Sequence, residues 1–145
     1  MVRFAWPGWV AAMLVGLSPP VAAQMAQDPA PPVELKENYP NPFYPSTTIP
    51  FEIHPDVCSR GHQPVVTLKV YNVLAQVVAL PGLVGESEIP LNNRRLRCGE
   101  HRAFWDGKTI DDQEVSPGVY WYRLTVDGRS YTMKMSVQRR MTSSQ

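Results

Sequence analysis

The sequence predicts an all-β fold, a small antiparallel β-sandwich, on three observations. In the stretch from Ser116 to Met135, Tyr120, Tyr122, Leu124 and Val126 alternate with Trp121, Arg123 and Thr125, and Asp127-Gly128 then supplies a turn pair suited to positive φ. The return strand sets Tyr131, Met133, Met135 and Val137 on one face and Ser130, Thr132, Lys134 and Ser136 on the other, the period-2 pattern of a half-buried antiparallel sheet. Fifteen prolines against nine glycines, with Val, Ile, Thr, Tyr and Trp gathered in short runs, argue against a helical protein. The chain has 145 residues; setting aside its two ends leaves roughly 100, the size of one sandwich.

Taken in order, residues 1–23 carry Arg3, the apolar run Phe4 to Leu17, the breaker Ser18-Pro19-Pro20 and the small residues Val21-Ala22-Ala23. This is the layout of a secretory signal cleaved before Gln24, and the alternative is an uncleaved membrane anchor with membrane contact through residues 4–23. Both place the folded domain on the periplasmic or extracellular side of the envelope, secreted if cleaved and tethered if not. Residues 24–34, with Asp28-Pro29-Ala30-Pro31-Pro32, form a proline-rich linker, residues 35–139 the sandwich, and residues 140–145 a flexible tail.

Within the domain, Asn38-Tyr39-Pro40-Asn41-Pro42-Phe43 predicts an ordered, irregular strap pinned by Tyr39 and Phe43. Thr48 to Ile53 points Ile49, Phe51 and Ile53 inward, and Pro50 within the run predicts an edge strand. Val66, Leu68 and Val70 alternate with Thr67, Lys69 and Tyr71 in the next strand, whose partner is Gln76 to Leu80 after a turn at Asn72 to Ala75. A short strand around Glu88 to Leu91 follows, then His101 to Trp105, with Trp105 the largest expected core contribution.

The two cysteines, Cys58 and Cys98, in an exported chain predict one disulfide. His54, Cys58 and His62 at intervals of four, with Cys98, offer a metal set on paper, but proline- and glycine-rich loops give that spacing no geometric force, so no metal and no cofactor is expected. Asp106, Asp111, Asp112 and Glu114 lack the alternating ligands and central glycine of a calcium loop. No nucleophile elbow or cysteine-protease context occurs, so the chain reads as a non-enzyme. A net charge of +1 argues against nucleic acid as a partner. Arg94, Arg95 and Arg97 form a local basic cluster, and with Trp121 on the presumed outer face they are the candidate partner-binding residues.

Asn38 to Phe43 with Pro45-Ser46-Thr47-Thr48-Ile49, then Val70-Tyr71-Asn72, Gly99-Glu100-His101, Trp105-Asp106-Gly107, Gly118-Val119-Tyr120 through Leu124, and Lys134-Met135 together resemble a known family. It is the immunoglobulin-like module of the flagellar hook-capping protein and of type IX secretion C-terminal sorting domains, over roughly Leu35 to Arg139. Tyr44 stands where such domains have asparagine, and Ala75 where they have glycine. The resemblance implies an immunoglobulin-like sandwich and many compatible roles. The expected function is a structural or interaction subunit of the bacterial cell envelope, docking onto another envelope protein or membrane protein complex. The alternatives are a secreted or surface-sorted protein read by type IX-like export machinery, or a carbohydrate-binding or adhesive module with Trp121 and the tyrosines as its platform.

Overall fold

The computed structural model describes residues 29–141 and the isolated Gly8, so the signal or anchor reading and residues 142–145 of the tail lie outside the described residues. Among the described residues, ten strands run in chain order as β1 (Val33–Leu35), β2 (Thr47–Ile53), β3 (Val65–Tyr71), β4 (Val77–Ala79), β5 (Gly82–Leu83), β6 (Glu86–Pro90), β7 (Arg94–Arg95), β8 (Gly99–Trp105), β9 (Gly118–Val126) and β10 (Arg129–Val137). Pro55–Gly61, between β2 and β3, is a 3-10 segment with no buried residue. No helix among the described residues is long and apolar enough to cross a membrane.

Two antiparallel sheets result, one in the order β1-β2-β8-β5-β6 and the other β10-β9-β3-β4, with β7 also paired to β3. This order is consistent with the A-B-E-D against G-F-C pairing of an immunoglobulin-like sandwich, with β4 in the place of an added C′ strand and β6 extending the first sheet beyond β5. A second hallmark accompanies it, for Tyr120 near the start of β9 donates its hydroxyl to the Ser116 carbonyl at 2.8 Å, a tyrosine corner. Burial of that side chain raises the Tyr120 phenol above its ordinary value.

The alternation in the sequence becomes the core. Ile49, Phe51 and Ile53 of β2 face Val66, Leu68 and Val70 of β3, Tyr122, Leu124 and Val126 of β9, and Met135 and Val137 of β10 across a continuous buried cluster. Each such side chain contributes about 1.5–3 kcal/mol on burial. Trp105 closes one end, edge-on to Phe43 and Tyr120 at ring separations of 5.4 and 5.9 Å, with its indole N–H donated to the Lys108 carbonyl.

The strap behaves differently from the sequence expectation in two respects. Phe43 is buried, but Tyr39 is half exposed and holds the strap through its backbone, which exchanges two hydrogen bonds with Thr48. Consequently β2 is not an edge strand, since β1 and Tyr39 cover its free side. Pro50 is tolerated because its carbonyl, accepting from Lys36, faces that side just beyond the last β1 pair, Leu35 with Phe51, so the missing N–H breaks no ladder bond. The buried anchor that sequence reasoning missed is Asn38. Its N–H donates to the Tyr122 hydroxyl at 3.1 Å, and that hydroxyl donates to the Lys36 carbonyl at 2.8 Å. The strap then reaches β10, where the Phe43 N–H donates to the Ser136 carbonyl and the Phe43 carbonyl accepts from Gln138.

Gly82 opens β5. A Cβ there would lie 2.6 Å from both the Glu86 and Ile89 carbonyl oxygens, an approach only glycine permits.

Candidate functional site

The outward positions of the β10-β9-β3-β4 sheet form two adjoining rows fixed by register. In the first, Val77, Tyr71, Trp121 and Lys134 lie side by side across β4, β3, β9 and β10; in the second, Lys69, Arg123 and Thr132 do so across β3, β9 and β10. These side chains point outward because the residues before and after them along each strand face the core, so the strand period that builds the fold also builds this face.

The rows enclose a groove of about 390 Å³ lined by Tyr71, Asn72, Val73, Ala75, Trp121, Arg123 and Thr132. Trp121 is 41% exposed. The Arg123 guanidinium carbon sits 4.9 Å from the Tyr71 ring centroid, and its Nε–H donates to Thr132 Oγ1 at 3.3 Å. Stacking and this bond orient the guanidinium while its terminal nitrogens carry no hydrogen bond to any described residue.

Beside the groove, the β3–β4 turn lifts Val73 and Leu74 into solvent at 71% and 73% exposure. Asn72 shapes that turn by accepting from the backbone N–H groups of Leu74 and Gln76. Ala75 takes φ 58°, a left-handed conformation, at the position where the sequence comparison marks a missing glycine.

The arginine cluster disperses. Arg94 and Arg95 are neighbours in a strand and point to opposite sides. Arg94 is bound to Glu86 at 2.6 Å, an ion pair that joins the two sheets, and is 27% exposed. Arg95 and Arg97 remain exposed; Arg95 pairs with Val65 at one end of β3, and Trp121 with Tyr71 at the other.

Cys58 and Cys98 are joined in a disulfide between the 3-10 segment and the loop before β8, bridging a sequence separation of 40. Both thiols are therefore withdrawn from the metal set considered above. His54 instead contacts Asp56, and His62 Nε2 lies 2.8 Å from Asp127 in the hairpin turn. Hydrogen bonds from His62 and from the Val65 N–H hold the Asp127 carboxyl below its ordinary value. Among the carboxylates of 106–114, Asp106 accepts from the Lys108 N–H and Asp112 pairs with the Lys108 ammonium at 3.0 Å, which holds that ammonium above its ordinary value.

Tyr71 and Arg123, which sequence reasoning left unassigned, complete the face around Trp121. The available signal was their phase, since both fall on the outward beat of strands whose inward beat is wholly apolar.

No family model matches the chain, and no curated protein matches it. Among solved structures, the chain is similar to PorZ of Porphyromonas gingivalis, described as an essential bacterial surface component of the type-IX secretion system. The alignment has 18% identity and a TM-score of 0.42, covering 71% of this chain and 11% of that one. The chain thus spans about a tenth of the length of that protein.

Proposed function

We propose that this protein is a non-enzymatic interaction module of the bacterial envelope, which docks another protein on the outer face of its β10-β9-β3-β4 sheet. The observation that carries the reading is the exposure of Trp121, Val77, Val73 and Leu74 beside the half-buried Tyr71 and an oriented arginine. Exposed aliphatic and aromatic groups rimmed by polar ones mark docking surfaces, and Trp, Tyr and Arg are the side chains that dominate interface energies. The secretory layout of the sequence over residues 1–23 supports the envelope as the compartment.

The test is site-specific photo-crosslinking in intact envelopes, with the photoreactive residue at position 121 or, as a control remote from this face, at position 88. A discrete adduct from 121, lost on Leu74→Ser substitution and absent from 88, is the expected result. Equal adducts from both positions, or none from 121, would sink the proposal. Trp121→Ala should leave the melting temperature nearly unchanged, since an exposed position typically alters stability by less than about 0.5 kcal/mol.

A further inference from the structure

We infer that the occupant of the Tyr71–Trp121–Arg123 groove is an acidic polypeptide segment carrying an apolar side chain. This rests on the docking face proposed above and names the chemistry of its partner.

Charge is divided between the two sheets. None of the strands β3, β4, β7, β9 and β10 contains an aspartate or glutamate, whereas Glu34, Glu52, Glu86, Glu88 and Glu100 all lie in strands of the other sheet. On the outer face of the β10-β9-β3-β4 sheet, Lys69, Arg123 and Lys134 take part in no ion pair among the described residues. Lys69 and Arg123 are direct cross-strand partners, an arrangement of like charges that weakens a sheet unless an anion compensates it. Arg123 is held by the Tyr71 ring and Thr132 with its terminal N–H groups free, the presentation suited to bidentate capture of a carboxylate.

Three anionic occupants meet that requirement, and the surroundings of the groove choose between them. An acidic glycan stacks on Trp and Tyr rings but gains little from aliphatic side chains, and Val73, Leu74 and Val77 border this groove with apolar surface that a peptide side chain would cover. A second copy docking by its acidic sheet is disfavoured because three of the five strand carboxylates there are already engaged, Glu52 and Glu100 by Lys36 and Glu86 by Arg94. An acidic segment with an apolar anchor satisfies both the cations and the aliphatic rim.

The experiment is selection of a random peptide phage library on the immobilised full-length protein, followed by fluorescence anisotropy with the selected peptides. Enrichment of Asp and Glu beside Leu or Phe is expected. Arg123→Gln should weaken binding about tenfold or more, the scale of a lost charge-assisted hydrogen bond, with Arg123→Lys recovering part of it. Raising salt from about 0.1 M to about 1 M, where the Debye length shrinks from about 10 to about 3 Å, should weaken it further. Selected peptides without acidic bias, equal binding by Arg123→Gln, or displacement by oligogalacturonate would overturn the inference. So would self-association in sedimentation that Arg123→Gln abolishes. A specific crosslink from position 121 together with peptides lacking acidic bias would retain the docking face and discard the acidic partner.

Discussion

Removing the disulfide by the paired substitution Cys58→Ser and Cys98→Ser should lower stability by about 4 kcal/mol, because the bridge closes a loop of sequence separation 40 and the unfolded chain loses entropy with the logarithm of that length. The native state itself loses little. The 3-10 segment that Cys58 belongs to buries no residue, and of its side chains only Val57 packs against the core besides the bridge. The effect should therefore be nearly the same for alanine as for serine at both positions. At roughly 4 °C per kcal/mol for a domain of about 100 residues, the midpoint should fall by about 15–20 °C. Circular dichroism melts of the oxidised protein and both double variants measure this directly. A fall of less than about 5 °C would refute the reasoning, since it would mean that the loops joined by the bridge are already close in the unfolded chain.

Three further predictions concern the strap and turns. Tyr122→Phe should cost about 2–4 kcal/mol in urea unfolding, because it leaves the Asn38 N–H and the Lys36 carbonyl buried without their partner. Burial pushes the Tyr122 phenol up to about 12, so stability is whole below about pH 10, where the unfolded chain begins to ionise, and falls as pH climbs through 12; the phenylalanine variant should lose that part of the alkaline decline. Ala75→Gly should raise stability by about 0.5–1 kcal/mol by relieving a left-handed alanine, and a lower urea midpoint for the glycine variant would contradict this. Gly107→Ala should destabilise by more than about 3 kcal/mol, because the added methyl meets the Pro45 carbonyl at a φ of +73°, and retention of a wild-type melt would show that the strap moves freely there.

The hairpin of β9 and β10 was readable because each strand buries a single face, so its period maps directly onto exposure. The disulfide was readable because compartment and cysteine parity leave few choices. Pro50 misled because an edge is defined by what pairs beside it, and the covering strap pairs through backbone groups that no side-chain pattern reports. The pairing of Arg94 was illegible for a similar reason, as Glu86 engages it from the opposite sheet. The groove was half visible. Trp121 stood out by type and phase, but Tyr71 joins it through a pairing of β3 with β9 that brings together residues far apart in the chain, and strand register of that range is set by the whole sheet.

The strap has a consequence for how the chain is made. Its anchors lie near the far end of the sequence, with Asn38 bound to Tyr122 at a separation of 84 residues and Asn41 to Ser136 at 95. A chain emerging N-terminus first therefore exposes the strap and β2 long before Tyr122, Ser136 and β8 exist, and β3, which can pair early with β4 and β7, lacks its longest partner until β9 emerges. Topologies of this kind fold slowly and late. Synthesis and folding are thereby separated in time, and the polypeptide remains threadable until its last hairpin has been delivered.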